Sequence, residues 1–194
     1  DGNVRYLYEQ ASTPFVWFFS DDDMLLPGAV TMVLGQLREK DPDVLIFSFR
    51  QPADSPKVTF EFDGLAQLHK DTRKIIYFLL VYPKVSIFVV RKIELLDRHL
   101  AELEPFFGNG FYWIDICFTV LNDAEEPSLC VVSKPLACST DGYHVVNFGP
   151  DVLKNFYSVL CHPFVKRNYP EYIEYMRERS YCGAIQFAFA VKLG

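Results

Sequence analysis

Apolar residues along the chain fall into two kinds of pattern, unbroken runs and spaced stripes. Phe15 to Phe19 is an unbroken run, the signature of a strand buried on both faces. Val30, Val33, Leu34 and Leu37 form a stripe at helical spacing, with Pro27 at a favourable first helical position and Asp41-Pro42 as the break. Asp43 to Phe49 is a second buried run. Strand, helix and strand in this order predict a βαβ unit, hence a right-handed crossover in a parallel sheet. Ahead of it, Val4 to Ala11 reads as a short helix.

Lys57 to Phe62 alternates like a half-exposed strand, and Leu65 to Val81 reads as mainly helical up to Pro83. Val85 to Val90 predicts a strand, Lys92 to Leu103 a helix, and Trp113 to Leu121 a helix after a loop carrying Gly108 and Gly110. Leu129 to Val132 is a late strand, and Pro150 to Leu160 and Pro170 to Lys192 read as two tail helices. The pattern predicts an α/β sheet domain over residues 1–140 and a helical extension over 141–194. Doubly wound sheets normally begin with their nucleotide-binding strands, and only one βαβ unit stands at the front. The expectation is therefore an N-terminally truncated domain. The end of the tail, "YCGAIQFAFAVKLG", is apolar on most sides; packing on the domain is its default role, with dimerisation or contact with a membrane surface as alternatives.

Composition narrows the partners. Half of the 194 residues are hydrophobic, which suffices for a packed core, and the net charge is −6 without a basic cluster. A nucleic-acid backbone is thereby disfavoured, and an anionic substrate needs local Lys or Arg, or a metal ion. Cys117, Cys130, Cys138, Cys161 and Cys182 are odd in number and lack CxxC spacing, which favours reduced, mostly buried thiols in a cytoplasmic protein. The 18 Phe, 11 Tyr and 2 Trp suit a core more readily than a set of sugar platforms. Neither a signal peptide nor an apolar stretch of about 18 residues is visible.

One feature carries candidate chemistry: Asp21, Asp22 and Asp23 directly follow the first buried strand. Ligands of open parallel sheets bind at the carboxyl ends of strands. Mg²⁺ and Mn²⁺ favour oxygen ligands and commonly take one or two carboxylates plus substrate phosphates. The plain alternative is an acidic cap and first turn for the Pro27 helix.

The stretch "NVRYLYEQASTPFVWFFSDDDMLLPGAV", residues 3 to 30, resembles the middle of a family 2 glycosyltransferase of the GT-A (Rossmann-like) fold. Ala11, Ser12, Phe15 to Ser20, Asp21 to Asp23 and Pro27 fill the places of a helix end, turn, strand, DXD-type motif and following proline. The Ser-Asp-Asp-Asp version is most similar to enzymes of bacterial surface-polysaccharide synthesis, including the abequosyltransferase-like group. The resemblance implies a mixed sheet with flanking helices and a cation, Mg²⁺ or Mn²⁺, on the diphosphate of a UDP-, GDP-, CDP- or dTDP-sugar. The acceptor would be a saccharide or a lipid-linked glycan, at the inner face of the cytoplasmic membrane or in the cytoplasm. Counted back from Pro27, Asp22 takes the metal place and Asp21 the ribose side; a literal D-x-D reading takes Asp21 and Asp23. Among the basic residues that could meet phosphate, Arg5 stands ahead of Lys84, Arg91 and Lys92 because its helix leads into the acidic strand; solvated surface is the plain alternative for each. His144 follows the last strand, where some relatives place a metal or diphosphate contact. The family's first strand and base-binding loop have no counterpart before Asp1.

Inverting transfer also needs a carboxylate to take the acceptor's proton. In "GNGFYWIDICF", Asp115 fills that role by resemblance, with Trp113 and Tyr112 as acceptor contacts; Ile114 stands where the family commonly has Glu. Read without the family, Asp115 is equally a helix-start acid. His69 and His99 are expected on helix surfaces and His162 in a structural loop. The competing reading is a non-catalytic sugar-binding or interaction domain on the same shell. A Mg²⁺-dependent phosphoryl enzyme is disfavoured by the lack of a DxDx[TV] motif or P-loop.

Overall fold

The computed structural model describes residues 2–50, 59–60, 66–139 and 150–174. His144, Cys182, most of the expected strand at Lys57 to Phe62 and the tail helix beyond residue 174 lie outside them. The elements run α1 (Gly2–Gln10), β1 (Phe15–Trp17), β2 (Asp23–Leu25), α2 (Ala29–Lys40), β3 (Val44–Arg50), β4 (Ala66–His69), α3 (Thr72–Val81), β5 (Phe88–Arg91), α4 (Asp97–Leu103), α5 (Tyr112–Asp123), β6 (Leu129–Ser139), α6 (Pro150–Leu160) and α7 (Pro163–Asn168).

They form a mixed α/β domain around one sheet in the order β1-β5-β3-β6-β2, with β4 also paired to β6. Val44 to Phe47 of β3 are completely buried, as the unbroken apolar run requires. Each such large side chain contributes about 1.5–3 kcal/mol through burial. β6 runs parallel to β3, and β5 runs antiparallel to it. β6 is longer than Leu129 to Val132: its first part pairs with β4, and its last residues, 137–139, pair with β2. The register against β3 shifts around Phe47, Ser48 and Phe49, opposite Pro135, which has no N–H for the ladder.

The βαβ expectation holds in direction but not in adjacency. β1 and β3 are both antiparallel to β5, hence parallel to each other, and β5 lies between them. Other departures have local causes. Leu65 to Val81 is a strand, 66–69, followed by a helix that starts only at Thr72, because Asp71 caps it by accepting from the Arg73 (3.0 Å) and Lys74 (3.4 Å) amides. Val85 to Ile87 form a 3-10 turn before β5, and Lys92 to Leu96 precede α4 rather than joining it. α2 begins at Ala29, with Gly28 as its cap in the left-handed region (φ 81°), so Pro27 stands ahead of the helix. His69 lies in β4, stacked 4.9 Å from the Phe78 ring, and His99 is buried 3.0 Å from Asp123. His99 is therefore not a surface histidine, and His69 is half-buried in a strand rather than on a helix.

α5 is buried along most of its length and packs against α1, α4, α7 and β5. Cys117, Cys130 and Cys138 are free and buried, and Cys161 is free and exposed. No described helix is long and apolar enough to cross a membrane. β1 forms one edge of the sheet among the described residues. Beside it, Phe15, Trp17 and Val89 face Val30, Val33, Leu34 and Leu37 of α2 across an apolar groove of about 310 Å³.

One polar clamp joins three strand ends. The Asp43 carboxylate accepts from the Ser128 amide and hydroxyl (both 2.9 Å) and from Arg91 Nε (3.1 Å). Arg91 Nη2 also donates to the Asp41 carbonyl at 2.6 Å, holding Asp41 in its left-handed turn (φ 44°). Replacing Asp43 with Ala leaves the Ser128 hydroxyl and amide and Arg91 Nε without this acceptor, while Arg91 Nη2 keeps Asp41. The expected loss is about 2–3 kcal/mol, measured as a lower urea midpoint with an unchanged slope.

Candidate functional site

β1 delivers the acidic turn. The Phe18 amide still donates to the Phe88 carbonyl (3.1 Å), after which the chain leaves the ladder at Ser20. The Asp23 amide closes a turn on the Ser20 carbonyl at 3.3 Å, and β2 starts at Asp23, opposite Ser139 of β6. Because β2 intervenes, the acids cannot cap α2, and the helix-cap explanation of the cluster is overturned.

The three carboxylates face different surroundings. Asp21 and Asp22 are exposed, whereas the Asp23 side chain is completely buried. Asp23 Oδ2 accepts from the Ser86 hydroxyl, and Oδ1 lies 3.1 Å from Lys84 Nζ. The Lys84 contact lacks hydrogen-bond geometry, so it is an ion pair only. Lys84 Nζ also sits 5.1 Å from the centre of the Phe49 ring. The Ser20 hydroxyl donates to Asp22 Oδ1. That bond, assisted by the charge of Lys84 and opposed by slight burial, holds the Asp22 carboxyl below its ordinary range.

Among the described residues, no group of three or more His, Cys, Asp or Glu side chains converges as a metal cage. The outward pair Asp21 and Asp22 fits a different kind of ion, one that takes one or two carboxylates and completes its shell with substrate oxygens. Of the basic candidates, Arg5 is paired with Glu9 at 2.8 Å, and its raised pKa reflects Glu9 first and also Tyr112 and Glu104, on the α5 side of the molecule. Arg91 is committed to Asp41 and Asp43, and Lys92 Nζ lies 4.6 Å over the Tyr8 ring. Lys84 is the one brought to the acidic turn.

The second cluster surrounds the start of α5. Gly108 and Gly110 adopt φ 93° and 79°, and the loop folds the Asn109 between them inward. Asn109 Oδ1 accepts from the Phe111 amide (2.6 Å), and Nδ2 donates to Asp115 Oδ2 (2.8 Å) and Ser158 Oγ (3.2 Å). Asp115 is fully buried, with Oδ1 lacking a hydrogen-bond partner. Burial pushes its pKa up to about 7, against the pull of Asn109. One turn further on, Thr119 Oγ1 donates to the Asp115 carbonyl (2.9 Å) and lies 3.4 Å from His162 Nε2. His162 Nδ1 accepts from the Phe164 amide (3.2 Å), and burial pushes this histidine down to about 3, so it is a neutral structural cap.

The two expected acceptor contacts differ. Tyr112 is buried, its ring edge-on to Phe107 at 5.6 Å, and offers no platform. Trp113 is half-buried with Nε1 turned inward and unpartnered. Sequence reasoning missed Ser86 and Asn109; for Asn109 a signal existed, an amide side chain between two glycines just ahead of a helix. Compared with known proteins, the chain matches no family model and no curated protein.

Asp115 has a pH signature. Below about pH 4 it is protonated in both the folded and unfolded states and contributes nothing. Between about 4 and 7 the unfolded state releases the proton that the folded state keeps, so stability falls as pH rises and levels off above 7. His162 has the opposite slope, losing stability as pH falls below about 6.5. Asp115→Asn isolates the first effect: between pH 5 and pH 8 the variant gains about 2–3 kcal/mol on the wild type in urea unfolding. An unchanged difference would mark Asp115 as an ordinary carboxylate.

Proposed function

We propose that this chain belongs to a metal-dependent inverting glycosyltransferase of surface-polysaccharide synthesis. The enzyme would move a sugar from a nucleotide-sugar to a saccharide or lipid-linked acceptor. The observation that carries the reading is the split of the aspartate cluster: Asp23 is neutralised inside the fold by Lys84 and Ser86, while Asp21 and Asp22 face outward at the carboxyl end of β1. Helix capping does not account for two outward carboxylates there. A diphosphate held through Mg²⁺ or Mn²⁺ does, and the resemblance of residues 3 to 30 to the DXD region of GT-A enzymes supports the same assignment.

The roles follow. Asp22, fixed by Ser20, and Asp21 beside it would hold the donor's cation, which when bound would supply charge neutralisation to the departing diphosphate. Asp115 takes the proton of the attacking acceptor hydroxyl, and a pKa near 7 suits that exchange at neutral pH. Asp115 is sealed behind Asn109, so this role requires the Gly108–Gly110 loop to move away. That seal is also the observation favouring a second reading, a sugar-binding or interaction domain that keeps the shell without turnover.

Calorimetry on the protein as it occurs in the cell, with UDP, GDP, CDP and dTDP, separates the two. Binding of one of them is expected with Mn²⁺ and not without it. Asp22→Ala should reduce that binding at least about a hundredfold, as expected for a lost charged ligand of roughly 3 kcal/mol. Asp115→Asn should spare binding and abolish transfer. No Mn²⁺-dependent binding of any of the four would sink the enzyme reading.

A further inference from the structure

The acidic turn has a brace that the proposed chemistry leaves unassigned. Ser86 is completely buried in the 3-10 turn Val85–Ile87, immediately ahead of β5, the strand that pairs with β1. A hydroxyl has one proton to give and lone pairs to accept with, and Ser86 uses both. It accepts from the Ser20 amide at 2.9 Å and donates to Asp23 Oδ2. Its backbone carbonyl accepts from Trp17 Nε1 at 2.9 Å. One residue thus holds β1 before the turn, the first residue of the turn, and the carboxylate that ends it.

The consequence is directional. Three adjacent carboxylates repel one another most when they point the same way. With Asp23 pinned inward on Ser86 and Lys84, and Ser20 fixed by its amide, the Ser20 hydroxyl is placed to hold Asp22 outward. We propose that Ser86 is the positioning residue of the acidic turn, acting through Ser20 to present Asp22 to a divalent cation. The inference rests on the reading of this turn as the cation-binding element of the proposed enzyme. It adds a residue that touches neither cation nor substrate. Preorganisation explains why such a residue matters: a carboxylate already held in place loses less freedom when it takes up an ion.

Two measurements on the full chain test it. Hydrogen exchange of the Ser20 amide reads the brace directly, and electron paramagnetic resonance with Mn²⁺ alone reads its effect. In Ser86→Ala, Ser20 exchange should rise and Mn²⁺ affinity should fall, each about tenfold, the worth of one hydrogen bond. Ser20→Ala changes only a half-buried rim hydroxyl, and it should weaken Mn²⁺ similarly even if the buried substitution prevents folding. If Ser86→Ala melts at a lower temperature but the folded chain keeps its Mn²⁺ affinity, Ser86 is merely structural and the proposal is overturned. It is equally overturned if Ser20 exchange is unchanged. If wild type and Asp22→Asn bind Mn²⁺ alike, the cation reading of the turn fails and the presentation role fails with it, whereas the Ser20 exchange still shows whether the brace exists.

Discussion

The burial of β3 from Val44 to Phe49 is the constraint from which the rest of the domain follows. A strand with no exposed face or edge must find a hydrogen-bonding neighbour on each side and a packed layer on each surface. β6 supplies one side in parallel and β5 the other antiparallel, and Asp43 locks the near ends of all three together. With both edges of β3 taken, β1 attaches to the outer edge of β5. That placement sets the acidic turn beside the 3-10 turn carrying Ser86 and next to Lys84, residues more than sixty positions away in sequence.

Among the described residues three aspartates are buried, and each meets the cost of burying a charge differently. Asp43 is saturated with hydrogen bonds from a serine and a guanidinium. Asp23 is matched by a lysine ammonium and a hydroxyl. Asp115 receives only one amide hydrogen bond and responds by binding its proton more tightly. The first two are structural by their pairing. The third is under-satisfied, and under-satisfaction is the condition in which a carboxyl can exchange a proton near neutrality.

Much of this was legible in the residues. The Asp43 run and α5 were readable because full burial leaves few alternatives, and the α2 stripe because of its helical period. The Phe15 run did give a strand, but a short, half-buried edge strand over 15–17 rather than one buried on both faces. The insertion of β5 between β1 and β3 was not, since strand order depends on pairing between distant segments. The strand at Ala66 to His69 was hidden because its apolar positions continue in phase with the helix beyond Asp71. Asp23 could not be told from its neighbours by sequence: of three identical residues in a row, two are exposed and one is buried, as decided by Ser86, Lys84 and Ser139 from other parts of the chain. Asp115 was identified as a candidate from its place after a glycine loop, but its isolation from solvent comes from the inward fold of Asn109 and the arrival of Ser158 from α6.

The edge of β1 has a colloidal consequence. Lys92 N–H to Pro14 carbonyl and Phe18 N–H to Phe88 carbonyl fix the ladder phase, so Phe15 and Trp17 direct their main-chain polar groups away from β5. That row lies beside an apolar groove whose far wall includes Val30 and Leu34, about half exposed. Together they form a template for a foreign strand, with hydrogen bonds on one side and oily side-chain pockets on the other. The chain already blunts one end of it: the Thr13 hydroxyl occupies the Phe15 carbonyl at 2.8 Å. Left bare in solution, the edge would be most adhesive at its Trp17 end, so clumping there would favour a single register.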